Sequence, residues 1–169
     1  MYKEIPVEDY DKKSPEFYRK EKCFIQDKLD VEFDIHHIGS SAVPGLGGKN
    51  WIDILLLVDD EETAKQTLDR IEELGYIHSK TASSEHREFF KRKTKYFGKE
   101  KRFHLHLMWK TESKYTELLA FRDYLCEHPE EAERYYDLKK SWKKKADNSD
   151  EFTELKTEYV KEIVEKAQK

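Results

Sequence analysis

The chain is expected to fold as an α+β domain, in which a mixed or antiparallel sheet interrupted by one helix is followed by three more helices. Three observations carry this. Between Val31 and Trp109 apolar residues either alternate with polar ones or run unbroken at strand length. One stretch inside that region, Asp59 to Gly75, has helical spacing instead. From Glu112 onward the period stays helical to the end. At 169 residues the prior is one domain, with a sheet-containing core over about 14–110 and a helical segment over 112–168.

Residues 1–13 are polar and read as an arm packed on the domain. Ser14-Pro15-Glu16 opens a helix, with Ser14 as the N-cap, and Phe17, Phe24, Ile25 and Leu29 share one face. Val31 to Ile38 alternates and predicts a strand ending at Gly39. Trp51 to Val58 is nearly all apolar, as expected for a strand buried on both faces. Asp59-Asp60-Glu61-Glu62 places acids at a helix N-terminus, Ala64, Leu68, Ile71 and Leu74 follow at helical spacing, and Gly75 ends it. Tyr76 to Lys80 reads as a short strand and Glu85 to Lys91 as another. Phe103 to Trp109 alternates strictly, so that Arg87 to Trp109 forms an antiparallel pair with a charged turn near Gly98. Leu118, Phe121 and Leu125 mark a helix ending at His128-Pro129. Tyr135, Leu138 and Trp142 mark the next, and Phe152, Leu155, Tyr159 and Ile163 the last, opening at Asn148-Ser149-Asp150.

Composition narrows the function classes. Charged residues make up 40% but nearly balance at a net charge of -4, which argues against a dedicated nucleic-acid binder. Cys23 and Cys126 stand far apart in helical contexts, so neither a disulfide framework nor a CxxC metal site is expected. The N-terminus lacks the apolar region of a signal peptide and no apolar run is long enough to span a bilayer, so the expectation is a cytoplasmic protein with no membrane partner.

The chemistry concentrates between His36 and Val58, which hold four of the six glycines. Glycines permit positive φ and close approach to a ligand, and Ser40 and Ser41 offer hydroxyls and amides to an anion. The functional reading is a loop at Gly39, Ser40 and Ser41 that holds a phosphate, with Lys49 neutralising its charge and Asp53 binding a divalent metal. The plainer reading makes Lys49 a surface residue and Asp53 the cap of a turn. The loop is neither a P-loop nor a dinucleotide-binding loop, since it lacks both spacings. His104 and His106, two apart on a strand, lie on one face about 7 Å apart, a spacing that suits a shared pocket, metal ligation or proton transfer. His36 and His37 form a second pair at a strand end. Arg87 and Arg122 are candidate anion-binding arginines, and the basic run from Lys91 to Arg102 is either attractive to phosphate or simply solvated.

His37-Ile38-Gly39-Ser40-Ser41-Ala42-Val43-Pro44-Gly45-Leu46, then Lys49 and Ile52-Asp53-Ile54, resemble the signature of the GrpB family of bacterial proteins. His104-Leu105-His106, and Phe121-Arg122-Asp123-Tyr124-Leu125 followed by His128-Pro129 and Ala132, match later blocks. The resemblance covers nearly the whole chain. It implies a nucleotidyltransferase-like mixed β-sheet, in which a Gly-Ser turn and a following acidic strand place a nucleotide and two magnesium ions. On that analogy Gly39 and Ser40 hold the triphosphate and Asp53 ligates metal, with His104 and His106 as further ligands or proton carriers. In the wider superfamily the strand carries two carboxylates separated by one residue, whereas the partner positions here are Trp51 and Leu55. One Asp with two histidines suits zinc or manganese better than magnesium. Asn50 stands where the resemblance leads one to expect proline, a departure expected to matter less. The resemblance thus implies a protein that binds a nucleotide or other phosphorylated small molecule, either as a metal-dependent nucleotidyltransferase or as a noncatalytic ligand-binding or regulatory module that has lost the two-metal site.

Overall fold

The structure, a computed structural model, describes residues 6–169. In chain order it contains α1 (Ser14–Lys28), β1 (Asp34–Ile38), a 3₁₀ turn (Ser40–Ala42), β2 (Ile52–Val58), α2 (Glu61–Glu73), β3 (Ile77–His78), β4 (Glu88–Tyr96), β5 (Lys99–Trp109), α3 (Lys114–Glu127), α4 (Pro129–Lys145) and α5 (Ser149–Ala167). The five strands form one sheet in the order β1-β2-β5-β4-β3. β2 and β5 run parallel and every other neighbouring pair is antiparallel, so the sheet is mixed. The unbroken apolar run of β2 suits its place between two strands and under helices on both sides.

Strand parity sorts the side chains onto two faces. Ile52, Ile54, Leu56 and Val58 of β2 join Phe103, Leu105, Leu107 and Trp109 of β5 in the core that α1 and α2 cover. Leu55, Leu57 and Met108 face the other way and pack with Ile38 under Tyr115, Leu118 and Leu119 of α3. Asp53, His104 and His106 belong to this second face by register, since Asp53 pairs with His104 and Leu55 with His106. A third cluster ties the glycine-rich loop to the C-terminal helices: Val43 and Leu46 pack with Leu125, Ala132, Tyr135, Tyr159 and Ile163. The loop is therefore held between the sheet and α3–α5.

Four local expectations change. Ser14 is the first residue of α1 rather than its cap; Lys13 takes the N-cap position with no side-chain bond, and the buried Ser14 hydroxyl has no partner among the described residues. β1 begins at Asp34, three residues later than the alternation suggests. β4 and β5 extend through the basic run to a two-residue turn at Phe97 and Gly98, both with positive φ (55° and 72°). That turn matches the twist of the hairpin, so pairing continues to Tyr96 and Lys99. Asn50 matters more than expected, because its φ of +55° excludes proline, whose ring holds φ near -65°. Its side chain donates to the Asp9 carbonyl at 2.8 Å and accepts from the Asp11 amide at 3.3 Å. The arm is thereby fastened beside the loop, where Glu8 and Gly48 also pair through backbone bonds of 2.8 and 2.9 Å. The first five residues of the arm lie outside the described residues.

Candidate functional site

Three glycines give the loop its shape. Gly39 turns the chain out of β1 at φ +73°, and a Cβ there would lie 2.8 Å from the Asp53 Oδ2. At Gly47 a Cβ would meet the Tyr136 ring at 2.2 Å and the Glu8 carbonyl at 2.4 Å; at Gly48 it would meet the Ser40 hydroxyl at 2.8 Å. Glycine at 39 lets the backbone lie against the carboxylate, and glycine at 47 and 48 lets α4 and the arm close over the loop.

Asp53 projects from the start of β2 toward both histidines of β5. Its Oδ1 lies 3.2 Å from His106 Nε2 and 3.6 Å from His104 Nδ1. The first is a hydrogen bond; the second is an electrostatic approach only. On its far side, His106 Nδ1 receives a bond from the Arg87 guanidinium at 3.1 Å. Arginine can only donate, so His106 must accept at Nδ1 and donate from Nε2 to Asp53. That fixes the neutral tautomer, in keeping with a His106 pKa lowered chiefly by burial, against the opposing pull of Asp53. For Asp53, burial acts to raise the pKa, but the two imidazoles more than offset it and hold the carboxyl well below its ordinary range. His104 sits edge-on to Trp51 and Phe89, and its buried Nε2 has no partner among the described residues.

Asp53 and His104 form part of the wall of a cavity of about 150 Å³, together with Ser40, Gly48, Lys49 and Trp51. The C-terminal helices supply the remaining cations, Lys139 from α4 and Lys156 from α5. Lys139 is only 5% exposed, and its Nζ donates to the Gly47 carbonyl at 2.6 Å. Burial, followed by the like charges of Lys156 and Lys49, pulls its pKa down to about 7. Lys49 is lowered by the same causes, burial first and then Lys156, and its ammonium lies 4.6 Å above the Trp51 ring. Three lysines thus share a cavity with one carboxylate, and that carboxylate is already engaged by His106.

The expected site residues divide. Ser40, Lys49, Asp53 and His104 meet at the cavity, and His106 stands behind Asp53. Gly39 shapes the turn against Asp53. Ser41 is turned away and shares a 2.9 Å bond with His37, which stacks on Tyr18 of α1. The His36–His37 pair therefore adds nothing to the cavity. Arg87 is spent on His106 and the Ala82 carbonyl. Arg122 is spent on Asp123 and the His37 carbonyl. Lys139 and Lys156 are the residues sequence reasoning missed. A signal for Lys139 was present, since it continues the buried stripe Ala132, Tyr135, Lys139 on α4.

The residues present do not fit a two-magnesium site. Leu55, at one of the positions where a second carboxylate would stand, is fully buried in the apolar patch beneath α3. Trp51, at the other, carries Lys49 and Arg102 over its ring. His106 has no free lone pair while Arg87 occupies Nδ1, and among the described residues no group of three His, Cys, Asp or Glu side chains is arranged to hold a metal ion.

Fold and site together define an α+β protein whose glycine-rich loop, following an edge strand, meets a lysine-lined cavity closed by C-terminal helices. The chain belongs to the GrpB protein family, whose model matches residues 4–166. It is 30% identical to the glutamate-rich protein GrpB of Alkalihalophilus pseudofirmus over 150 residues, 87% of this chain and 86% of that one. It is 34% identical over 134 residues to a UPF0157 protein of Pseudomonas aeruginosa; the match takes in 79% of this chain but spans only 54% of the relative's length. The crystal structure of conserved protein GrpB from Enterococcus faecalis is similar at a TM-score of 0.78 and 27% identity, over 96% of each chain. The likeness to nucleotidyltransferases is distant: the Cid1 poly(U) polymerase overlays at a TM-score of 0.44 and 13% identity, over 71% of this chain and 42% of that one. No helix among the described residues is long and apolar enough to cross a membrane.

Proposed function

We propose that this protein binds a nucleotide or other phosphorylated small molecule in the cavity between the glycine-rich loop, the Asp53 end of β2 and the C-terminal helices, and that it does so without two-metal nucleotidyl transfer. One observation carries the reading: Lys49, Lys139 and Lys156 converge from three separate elements on one small cavity, and none is ion-paired with a carboxylate among the described residues. Lys139 is buried whereas Lys49 and Lys156 reach solvent; holding three like charges around one cavity costs stability, most of all at the buried amine, and an anion that binds there offsets it. Phosphate oxygens suit the donors present, namely three amines and the Ser40 hydroxyl.

The test is calorimetric titration of inorganic pyrophosphate and of ATP in EDTA. Binding is expected in wild-type protein. It is expected to weaken by about 10- to 100-fold in Lys49→Met and in Lys156→Met, the loss of one charge-assisted hydrogen bond each. Equal heats in wild type and both variants, or no binding at all, would contradict the reading.

A further inference from the structure

We propose that Lys139 is a carbonyl-reactive amine and that the cavity accepts a small phosphorylated aldehyde or ketone, whose carbonyl carbon condenses with the Lys139 Nζ. This rests on the phosphate reading above and names a narrower ligand class for the same cavity.

The geometry is that of an amine held ready rather than of a structural ion pair. Lys139 leaves α4 from its buried stripe, so packing fixes the stem. The nitrogen has one oxygen partner among the described residues, the Gly47 carbonyl. A buried ammonium carries three donors and needs acceptors for all of them, whereas a neutral amine that donates once keeps a lone pair for a ligand. The groups that line the cavity with it are Lys49 from the loop, Lys156 from α5, Asp53 and His104, and the Tyr135 ring lies 4.6 Å away on its own helix. The tyrosine and the Gly47 carbonyl favour the charged form. Burial and the two lysines oppose it and prevail, so that an appreciable neutral fraction exists near pH 7.

The reaction balances without an oxidant or a metal. The nitrogen lone pair forms a C–N bond to the carbonyl carbon, the carbonyl π pair moves to oxygen, and a proton passes from nitrogen to that oxygen to give the carbinolamine. The C–O bond then breaks, the oxygen leaves as water with the second nitrogen hydrogen, and a C=N bond remains. Lys49, Lys156 and the Ser40 hydroxyl would hold the phosphate while this occurs, and a cavity of about 150 Å³ suits a short carbon chain.

The test uses glycolaldehyde phosphate with sodium cyanoborohydride, which traps an imine irreversibly, followed by peptide mapping of the full-length protein. The expected result is one adduct, at Lys139, formed at least about tenfold faster than at the exposed Lys144 or Lys145, because each unit of lowered pKa enlarges the neutral fraction about tenfold. Excess inorganic phosphate should slow it, and Lys139→Met should abolish it. Adducts spread over surface lysines with no preference for Lys139 would overturn the proposal, a result that wild-type protein alone delivers. Pyrophosphate binding without Lys139 labelling would remove the imine and leave the phosphate reading intact. Equal labelling by uncharged acetaldehyde would keep the reactive amine and remove the phosphorylated ligand.

Discussion

Glu21 and Asp53, carboxylates on opposite faces of the sheet, are treated differently. Glu21 of α1 is fully buried, and its oxygens accept from the Tyr76 hydroxyl at 2.7 Å, the Tyr96 hydroxyl at 2.6 Å and Arg92 at 2.7 Å to each oxygen. The set is closed: acid, cation and two hydroxyls satisfy one another. Asp53 has one imidazole hydrogen bond, a second imidazole at 3.6 Å whose other nitrogen is unpartnered among the described residues, and a cavity beyond with three lysines. Closed polar networks stabilise and specify a core, while open ones mark where a ligand completes the set.

The comparison breaks most visibly at the closed network. Glu21→Ala leaves Arg92, Tyr76 and Tyr96 facing a void, which should cost about 3–5 kcal/mol, as for any buried pair stripped of one member. In a domain of this size that lowers Tm by on the order of 10 °C. Pyrophosphate affinity at the folded protein should be unchanged, since the two networks lie on opposite faces. A loss of affinity in stable Glu21→Gln protein would erase the distinction.

Gly47→Ala should come next, at about 1–3 kcal/mol, because the added methyl must displace the Tyr136 ring or the Glu8 carbonyl. Unlike the first variant it should also weaken pyrophosphate binding, since it moves the carbonyl that positions Lys139. Equilibrium urea unfolding and calorimetry on the same preparation separate the two effects. Asp53→Asn should cost less, about 1–2 kcal/mol, for one weakened hydrogen bond.

A further contrast lies in pH dependence. Burial above all, with Arg122 acting in the same direction and Asp53 opposing, lowers the His37 pKa from 6.5 to about 4. Between those values the unfolded chain takes up a proton that the folded protein refuses. The contribution is therefore full above pH 6.5 and lost as pH falls toward 4. Tm measured across that range should decline less steeply in His37→Asn than in wild type, whereas anion binding should be unaffected, because His37 faces α1 and not the cavity.

Strand parity was legible in the sequence. Alternation at Phe103 to Trp109 placed His104 and His106 on one face, and the lone acid in β2 marked Asp53; the sheet brings the three together through the Asp53–His104 pairing. The helices followed from their periods, and the start of α2 from its acids, of which Asp60 proves to be the N-cap, accepting from the Thr63 amide at 2.7 Å. What stayed hidden depends on long-range approach. Lys139 lies about ninety residues from the loop in a lysine-rich stretch that reads as a solvated face, and only its place in the buried stripe sets it apart from Lys140. Arg87 looked like an anion binder because its partner, His106, is invisible until β4 pairs with β5. The positive φ at Asn50 likewise depends on the arm folding back to Glu8 and Asp9.

The central claim is that the cavity is an anion site in which Asp53 is not a metal ligand, and calorimetric titration of ATP into wild type and Asp53→Asn, each in EDTA and in magnesium, tests it most directly. The account predicts binding without metal, retained in the variant and strengthened about two- to tenfold, because a negative charge facing the phosphate has been removed. Binding that requires magnesium and disappears in Asp53→Asn would contradict it and restore the metal-dependent enzyme.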